Sequence, residues 1–394
     1  MSKPSVRDTL LTMLGITALI VYVLACRPSF SPDGTKVIFP TRNSKSKEAS
    51  VVLYDLKKKT LQTIFAMSKM SKTDDVGFAV QWLPDGKQVL VNGVSFVAIL
   101  PLGSSNPTRI IPLEEKLDAG MLQLTPPVIG KYQFIPSKTS VEVKNEKGET
   151  VSTEEPVVLR VNLETMEVQS FPNGIEGSFL AKGNQLYYIA QAKIGEDDAY
   201  ELGRLDPEKL TRTPLLQLKE KDCGEPSGFM TLNSTGNRIA LTAKLEHAQR
   251  ILLIRGNALE KTIPVAEKDI KIQLGNAEWS LDEKTMFVAF AKDLDKDSLW
   301  QYGVLEVPLD GGNVREIPLF TGKEGNNGGL VLFQIALSAD GRRIAATSAC
   351  LGADNGIKPE DNALYLIDLS STKRNVTRIA IPMPPASESA AEKK

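Results

Sequence analysis

The residues with the clearest chemical potential are acidic. Asp293-Leu294-Asp295-Lys296-Asp297-Ser298 places three carboxylates on alternate positions, and alternate oxygens can converge on one hard cation as they do at the start of a calcium loop. The rest of such a loop is missing. Its sixth position is Ser298 rather than glycine, and its twelfth is Val304 rather than glutamate. Asp293, Asp295 and Asp297 are therefore a calcium site of last resort, with a solvated hairpin as the competing reading. The sequence holds one histidine, His247, which excludes multi-histidine metal clusters. There is no G-x-S-x-G, C-x-x-C, H-E-x-x-H, P-loop or G-x-G-x-x-G, so no catalytic residue and no cofactor-binding residue is expected. Paired carboxylates could still cleave glycosidic bonds without histidine, but no such pair can be placed from the sequence.

Stepping outward, residues 1–26 read as a signal or anchor segment. Lys3 and Arg7 precede Thr9 to Cys26, which carry no charge. As a helix that run is about 27 Å long, enough for a hydrocarbon core. The positive flank puts the N-terminus in the cytoplasm and everything after it outside. Val23-Leu24-Ala25-Cys26 resembles a bacterial lipobox, which implies lipidation of Cys26; cleavage by signal peptidase and retention as an anchor are the alternatives. Three cysteines make no disulfide framework. A net charge of -1 argues against nucleic acid as partner.

The elements that would position any site come from a repeat. Phe30-Ser31-Pro32-Asp33-Gly34 is followed by an apolar return strand, Val37 to Phe39. The same frame recurs at Trp82-Leu83-Pro84-Asp85-Gly86 and Leu337-Ser338-Ala339-Asp340-Gly341, and in weaker form elsewhere. Pro presets φ for the turn, and Gly takes its left-handed position. Taking Gly34, Gly86, Lys138, Gly183, Gly236, Glu283 and Gly341 as equivalent, the steps run from 45 to 58 residues. A second pattern lies between them, as in Val52-Leu53-Tyr54-Asp55-Leu56 and Tyr365-Leu366-Ile367-Asp368-Leu369. Each unit then holds four strands, A to D, and seven units make an all-β, seven-bladed propeller of antiparallel blades. The expected domains are 1–26, a propeller over 27–382, and a disordered tail over 383–394, whose Pro, Ala, Ser, Glu and Lys have little to bury.

The Ser-Pro-Asp-Gly turn with its apolar return resembles the WD40-like repeat of TolB-type proteins, found also in the propeller of prolyl-oligopeptidase-like enzymes. The resemblance implies the fold more firmly than an activity, and no hydrolase motif accompanies it. The loops joining D to A and B to C read as long at Ala66–Val76, Leu113–Pro127, Val143–Glu155, Gln191–Ala199, Phe320–Leu330 and Ser348–Asn362. Loops on a rigid scaffold usually carry function. The expected function is thus a non-catalytic protein-interaction scaffold in the cell envelope, held to the membrane by residues 9–26 and binding a protein partner through its long-loop face. A small-molecule or glycan binder in the central channel, and a carboxylate-dependent lyase or hydrolase, are the alternatives.

Overall fold

The computed structural model describes residues 27–42, 49–66, 78–93, 96–104, 106–113, 117–118, 126–144, 149–172, 177–246, 248–266, 271–295, 299–323, 334–348 and 362–381. Its strands fall into seven antiparallel sheets in strict chain order. Blade 1 is β1 (Ser29–Phe30), β2 (Lys36–Arg42), β3 (Ala49–Asp55) and β4 (Thr60–Ala66). Blade 2 is β5 (Phe78–Trp82), β6 (Gln88–Gly93), β7 (Phe96–Pro101) and β8 (Arg109–Pro112). Blade 3 has β10 (Val128–Ile129), β11 (Tyr132–Lys144), β12 (Thr150–Asn162) and β13 (Val168–Pro172), with β9 (Leu117–Asp118) added on β11. Blade 4 is β14 (Gly177–Lys182), β15 (Gln185–Ile194), β16 (Asp197–Leu205) and β17 (Arg212–Lys219), and one short helix, α1 (Glu220–Cys223), follows it. Blade 5 is β18 (Glu225–Leu232), β19 (Arg238–Leu245), β20 (Ala248–Arg255) and β21 (Ala258–Ala266). Blade 6 is β22 (Ile272–Trp279), β23 (Thr285–Asp293), β24 (Leu299–Pro308) and β25 (Arg315–Lys323). Blade 7 is β26 (Ile335–Leu337), β27 (Arg343–Thr347), β28 (Ala363–Asp368) and β29 (Val376–Ala380).

Both faces of each sheet are apolar because each packs on a neighbour. Alternation along β2 shows the logic. Ile38 faces blade 2 with Val80 and Val91, while Val37 and Phe39 face blade 7 with Ala345 and Leu364. Full burial of such a side chain stabilises by roughly 1.5–3 kcal/mol. The contact of Val37, Phe39 and Tyr54 with Leu364, Leu366 and Ile381 closes the ring. Closure is by side-chain packing between two complete blades, as the sequence implies, with no strand shared between the chain's ends.

The Ser-Pro-Asp-Gly frame is a hydrogen-bonded unit. In blade 1 the Gly34 amide donates to Ser31 O (2.8 Å) and the Lys36 amide to Ser31 Oγ (2.9 Å). The Ser31 hydroxyl and the Thr35 amide both donate to Asp33 Oδ1. Ser280 and Asp282, and Ser338 and Asp340, repeat the arrangement in blades 6 and 7. In blade 5 Asn233 replaces the serine: its Oδ1 accepts the Arg238 amide, and its Nδ2 donates to Thr235 and Asn237 within the turn. The Ser31 hydroxyl, then the Thr35 amide and hydroxyl, hold the Asp33 carboxyl down at about 2. Ser280 and Ser338 lower Asp282 and Asp340 in the same way. A carboxyl depressed in the folded state adds stability above its unfolded value, near 3.9, and that stability is lost as pH falls through the folded value. The urea midpoint should therefore drop as pH is lowered from about 4 to about 2. The decline should be shallower in Asp33→Asn/Asp340→Asn; an identical decline would remove these turns as its cause.

Blade 6 departs from the frame by placing Glu283 at the left-handed position, φ 58°. Its carboxylate accepts the Ser234 hydroxyl (2.5 Å) and the Asn233 amide (2.8 Å) from the turn of blade 5. The side chain is kept because it bridges two blades, against a backbone cost of about 1 kcal/mol. Stability should fall in the order wild type, Glu283→Gly, Glu283→Ala, since alanine keeps the cost and loses the bridge. Thermal melts in which Glu283→Ala equals wild type would contradict this.

Several sequence expectations are corrected here. The third A–B turn is not at Pro136–Lys138. Those residues lie within β11, and the turn is Gly130-Lys131, between the paired Ile129 and Tyr132. Lys138 falls into the spacing of the repeat because strand B of blade 3 is long and Pro136 mimics a turn. Two of the expected long loops are strands: β11 and β12 pair out to Lys144 and Thr150, and β15 and β16 pair out to Ile194 and Asp197. Residues 67–77, 119–125, 324–333 and 349–361, which contain most of the other expected loops, lie outside the described residues, as do 1–26 and 382–394. No helix among the described residues is long and apolar enough to cross a membrane.

Candidate functional site

Two of the three carboxylates of the acidic stretch in blade 6, Asp293 and Asp295, fall among the described residues. Asp293 ends β23, and its Oδ1 accepts the Asp295 amide (2.8 Å). The Lys271 ammonium lies 3.4 Å from Asp293 Oδ2 and 3.3 Å from Asp295 Oδ1, so these two carboxylates already share a cation. Both raise the lysine above its ordinary value. Asp297, Cys26, His247 and Cys350 lie outside the described residues. Cys223 is a free thiol buried between blades 4 and 5, and burial pushes it up to about 11.

A second buried acid, Glu201, is fully engaged. It accepts the Tyr188 hydroxyl (2.6 Å), the Arg212 guanidinium (2.8 Å) and the Gln217 amide (3.0 Å). Burial pushes its carboxyl up, but these three donors outweigh burial and hold it below the usual range. With every neighbour committed, this network pins the outer part of blade 4.

The centre of the ring offers the open site. The inner strands β1, β5, β10, β14, β18, β22 and β26 converge there around a cavity of about 480 Å³. Cross-blade bonds fix these strands to one another. The Trp82 indole donates to Ser29 O (3.0 Å) and the Gln81 amide to Pro126 O (2.8 Å). Asn276 makes a two-way bond with the backbone of Ile335, donating to its oxygen and accepting its amide at 2.8 Å each. Phe30, Leu180 and Leu337 give the cavity apolar walls, and each is only partly buried.

Of the residues lining the cavity, two are charged, and they meet. Arg27, just before β1, donates from Nη2 to Glu278 Oε1 on β22 at 2.5 Å. The pair reaches from blade 1 to blade 6, past blade 7. The side chains remain 31% and 17% exposed. Burial pushes the Glu278 carboxyl up, and the Arg27 charge opposes that rise without cancelling it. The single carboxylate with its arginine is not the acid–base pair of carboxylates that glycosidic cleavage needs, so that chemistry finds no support among the described lining residues. Sequence reasoning missed both residues, although one signal was available. The positions just before Phe30, Trp82, Leu232, Trp279 and Leu337 are Ser29, Gln81, Thr231, Glu278 and Ala336, and only one of those five is charged.

No family model and no curated protein matches the chain. Solved structures do. The chain is similar to Kluyveromyces lactis Hsv2 at 13% identity and a TM-score of 0.51, covering 92% of this chain and 100% of that one. It is similar to a Mycobacterium tuberculosis puromycin-hydrolyzing peptidase at 10% identity and a TM-score of 0.58, covering 94% of this chain and 56% of that one. The Pyrococcus horikoshii acylaminoacyl peptidase matches at 11% identity and 0.51, covering 91% of this chain and 52% of that one. The chain thus spans about half the length of the two peptidases, and at such identity the shared property is the fold.

The expectation of a non-catalytic interaction scaffold is corrected on this point: the solved propellers that resemble the chain include parts of peptidases, so the fold does not mark a scaffold. Among the described residues the exposed large apolar side chains, such as Ile110, Met166, Leu259 and Val376, are scattered over blades 2, 3, 5 and 7. Two of the loops assigned to the long-loop face are strands.

Proposed function

We propose that this propeller is the substrate-receiving unit of a peptidase-type system, with its central cavity as the receiving site. Hydrolysis itself would be performed by residues outside this sequence, which has no nucleophile elbow. The observation that carries the reading is the cavity: it sits where all seven inner strands meet, has apolar walls, and holds one ion pair. Its volume falls in the range of about 300–1,000 Å³ used by small-molecule and short-peptide sites. The likeness to two peptidases supports the substrate class. The Ser-Pro-Asp-Gly turns support a TolB-type repeat within this reading, and the uncharged run at residues 9–26 supports tethering to a membrane with the propeller outside the cytoplasm. The mass of the mature N-terminus would test the last point, since an unmodified, uncleaved N-terminus in a soluble fraction would refute it.

Ala339 tests the site. It is exposed, lines the cavity, and stands at a turn position where blades 1 and 2 carry Pro32 and Pro84. Ala339→Trp should leave the melting curve within a few degrees of wild type and weaken binding of short peptides, read by calorimetry, at least tenfold. Unchanged peptide binding in Ala339→Trp would place the receiving site elsewhere.

A further inference from the structure

We infer that the central cavity takes its ligand by both charged ends, as a free dipeptide-sized zwitterion, with the ligand carboxylate on Arg27 and its ammonium on Glu278. This deepens the proposed function and rests on the cavity being the receiving site. Three observations carry it. The first is that the pair is under-committed. Arg27 spends one donor, Nη2, on one oxygen, Oε1, and among the described residues neither side chain has another hydrogen bond. A guanidinium has five N–H donors in a planar fork, and a carboxylate about four acceptor sites. Among the described residues the remaining donors of Arg27 and the second oxygen of Glu278 meet no partner, and both side chains keep some exposure.

The second observation is charge balance. Arg27 and Glu278 are the charged residues of the lining, so the cavity is formally neutral. A purely anionic ligand would set a second negative charge beside a desolvated carboxylate, and a purely cationic one would set a second positive charge beside the guanidinium. Each arrangement disfavours the charged ligand. A zwitterion adds one charge of each sign and closes a ring of four alternating charges, each with a charge-assisted hydrogen bond. Buried charges are favourable only when paired in this manner.

The third observation is shape. The ion pair is the charged pole of a space whose other walls mix apolar groups such as Phe30, Leu180, Leu337 and Met230 with the neutral polar Ser29, Ser31 and Gln81. A ligand with one charge of each sign at its two ends and an apolar side chain matches that division. A volume of about 480 Å³ holds a molecule of dipeptide size and excludes a folded partner.

The test uses the full-length chain and four forms of one dipeptide, glycyl-phenylalanine: free, N-acetylated, C-amidated, and blocked at both ends. Calorimetry near pH 7 should show the free form binding, each single block weakening it at least tenfold, and the doubly blocked form not binding. Glu278→Gln should erase the preference for a free amine, and Arg27→Gln the preference for a free carboxylate. Because the ligands are varied, the result from wild-type protein stands even if a variant folds poorly. If the blocked form binds as tightly as the free one and Ala339→Trp abolishes both, the cavity receives internal peptide segments; the zwitterion inference is then overturned and the proposed function survives. If no form binds at millimolar concentration, or if binding persists unchanged in Ala339→Trp, both are overturned.

Discussion

Gly303→Ala is expected to destabilise the propeller by about 3 kcal/mol, at the upper end of what overpacking usually costs. Gly303 lies on strand C of blade 6, opposite Phe290 and beside an irregularity in the pairing of β24 with β25. A Cβ there would lie 2.4 Å from the backbone oxygen of Ile317 and 2.8 Å from the Phe290 ring. The ring could turn, but the carbonyl belongs to the adjacent strand and can move only with it. Blade 4 repeats the arrangement at Gly203, which faces Tyr188 beside the corresponding irregularity of β16 with β17. There the three atoms nearest to a Cβ all belong to the tyrosine side chain, the closest at 2.4 Å. The two sites should therefore respond differently to removal of the aromatic ring. Tyr188→Leu should rescue much of the loss caused by Gly203→Ala, whereas Phe290→Leu should leave most of the loss from Gly303→Ala in place. Urea midpoints for the two double-mutant cycles check this. Equal rescue at both sites would mean that the backbone contact at Ile317 O is not what excludes a side chain from position 303.

The same two glycines show what the sequence could and could not disclose. The repeat was legible because a turn has local rules. Ser31, Asp33 and Gly34 each have a job that needs only their neighbours in the chain, and copies of those jobs can be found by eye. Gly203 and Gly303 have jobs set by an aromatic residue on the adjacent strand, and in isolation they look like random glycines within a β run. Blade 3 failed locally for a related reason. Its A–B turn needs two residues, Gly130 and Lys131, and carries no Ser-Pro-Asp-Gly, so Pro136 in the following strand drew the assignment. The loop face was misjudged because polar strands such as Thr150–Glu155 and Asp197–Asp198 pair beyond the packed body of their blades, where both faces are wet and no apolar alternation marks them. The candidate site was the least legible part. Arg27 and Glu278 lie 251 positions apart, and only ring closure brings blade 1 round to blade 6. A charge at an otherwise neutral repeat position is visible in one sequence, but its partner is not.

That pairing sets up the second large effect. Arg27→Met should cost about 2–4 kcal/mol near pH 7, because removing one member of a buried pair leaves the other without compensation; the partial exposure of both side chains places it below the largest losses seen for fully buried pairs. The loss should depend on pH in a direction that identifies its source. Burial already raises the Glu278 carboxyl above its ordinary value of 4.5, and Arg27 is what opposes the rise. Without Arg27 the carboxyl rises further. A carboxyl that binds its proton more tightly in the folded than in the unfolded state lowers stability as pH increases. The variant should thus approach wild-type stability below about pH 4.5, where the carboxyl is protonated in both states, and fall away from it as pH rises to 7. Arg27→Met/Glu278→Gln should recover most of the loss and lose the pH dependence, since a neutral amide needs no counter-charge. Urea titrations at pH 4.5 and 7 on the three variants decide the matter. An Arg27→Met variant equally destabilised at both pH values would show that the methylene stem of Arg27, rather than its charge, holds the start of blade 1 against the ring. In that case the cavity's ion pair would be a structural latch, and its spare donors would have to be explained without a ligand.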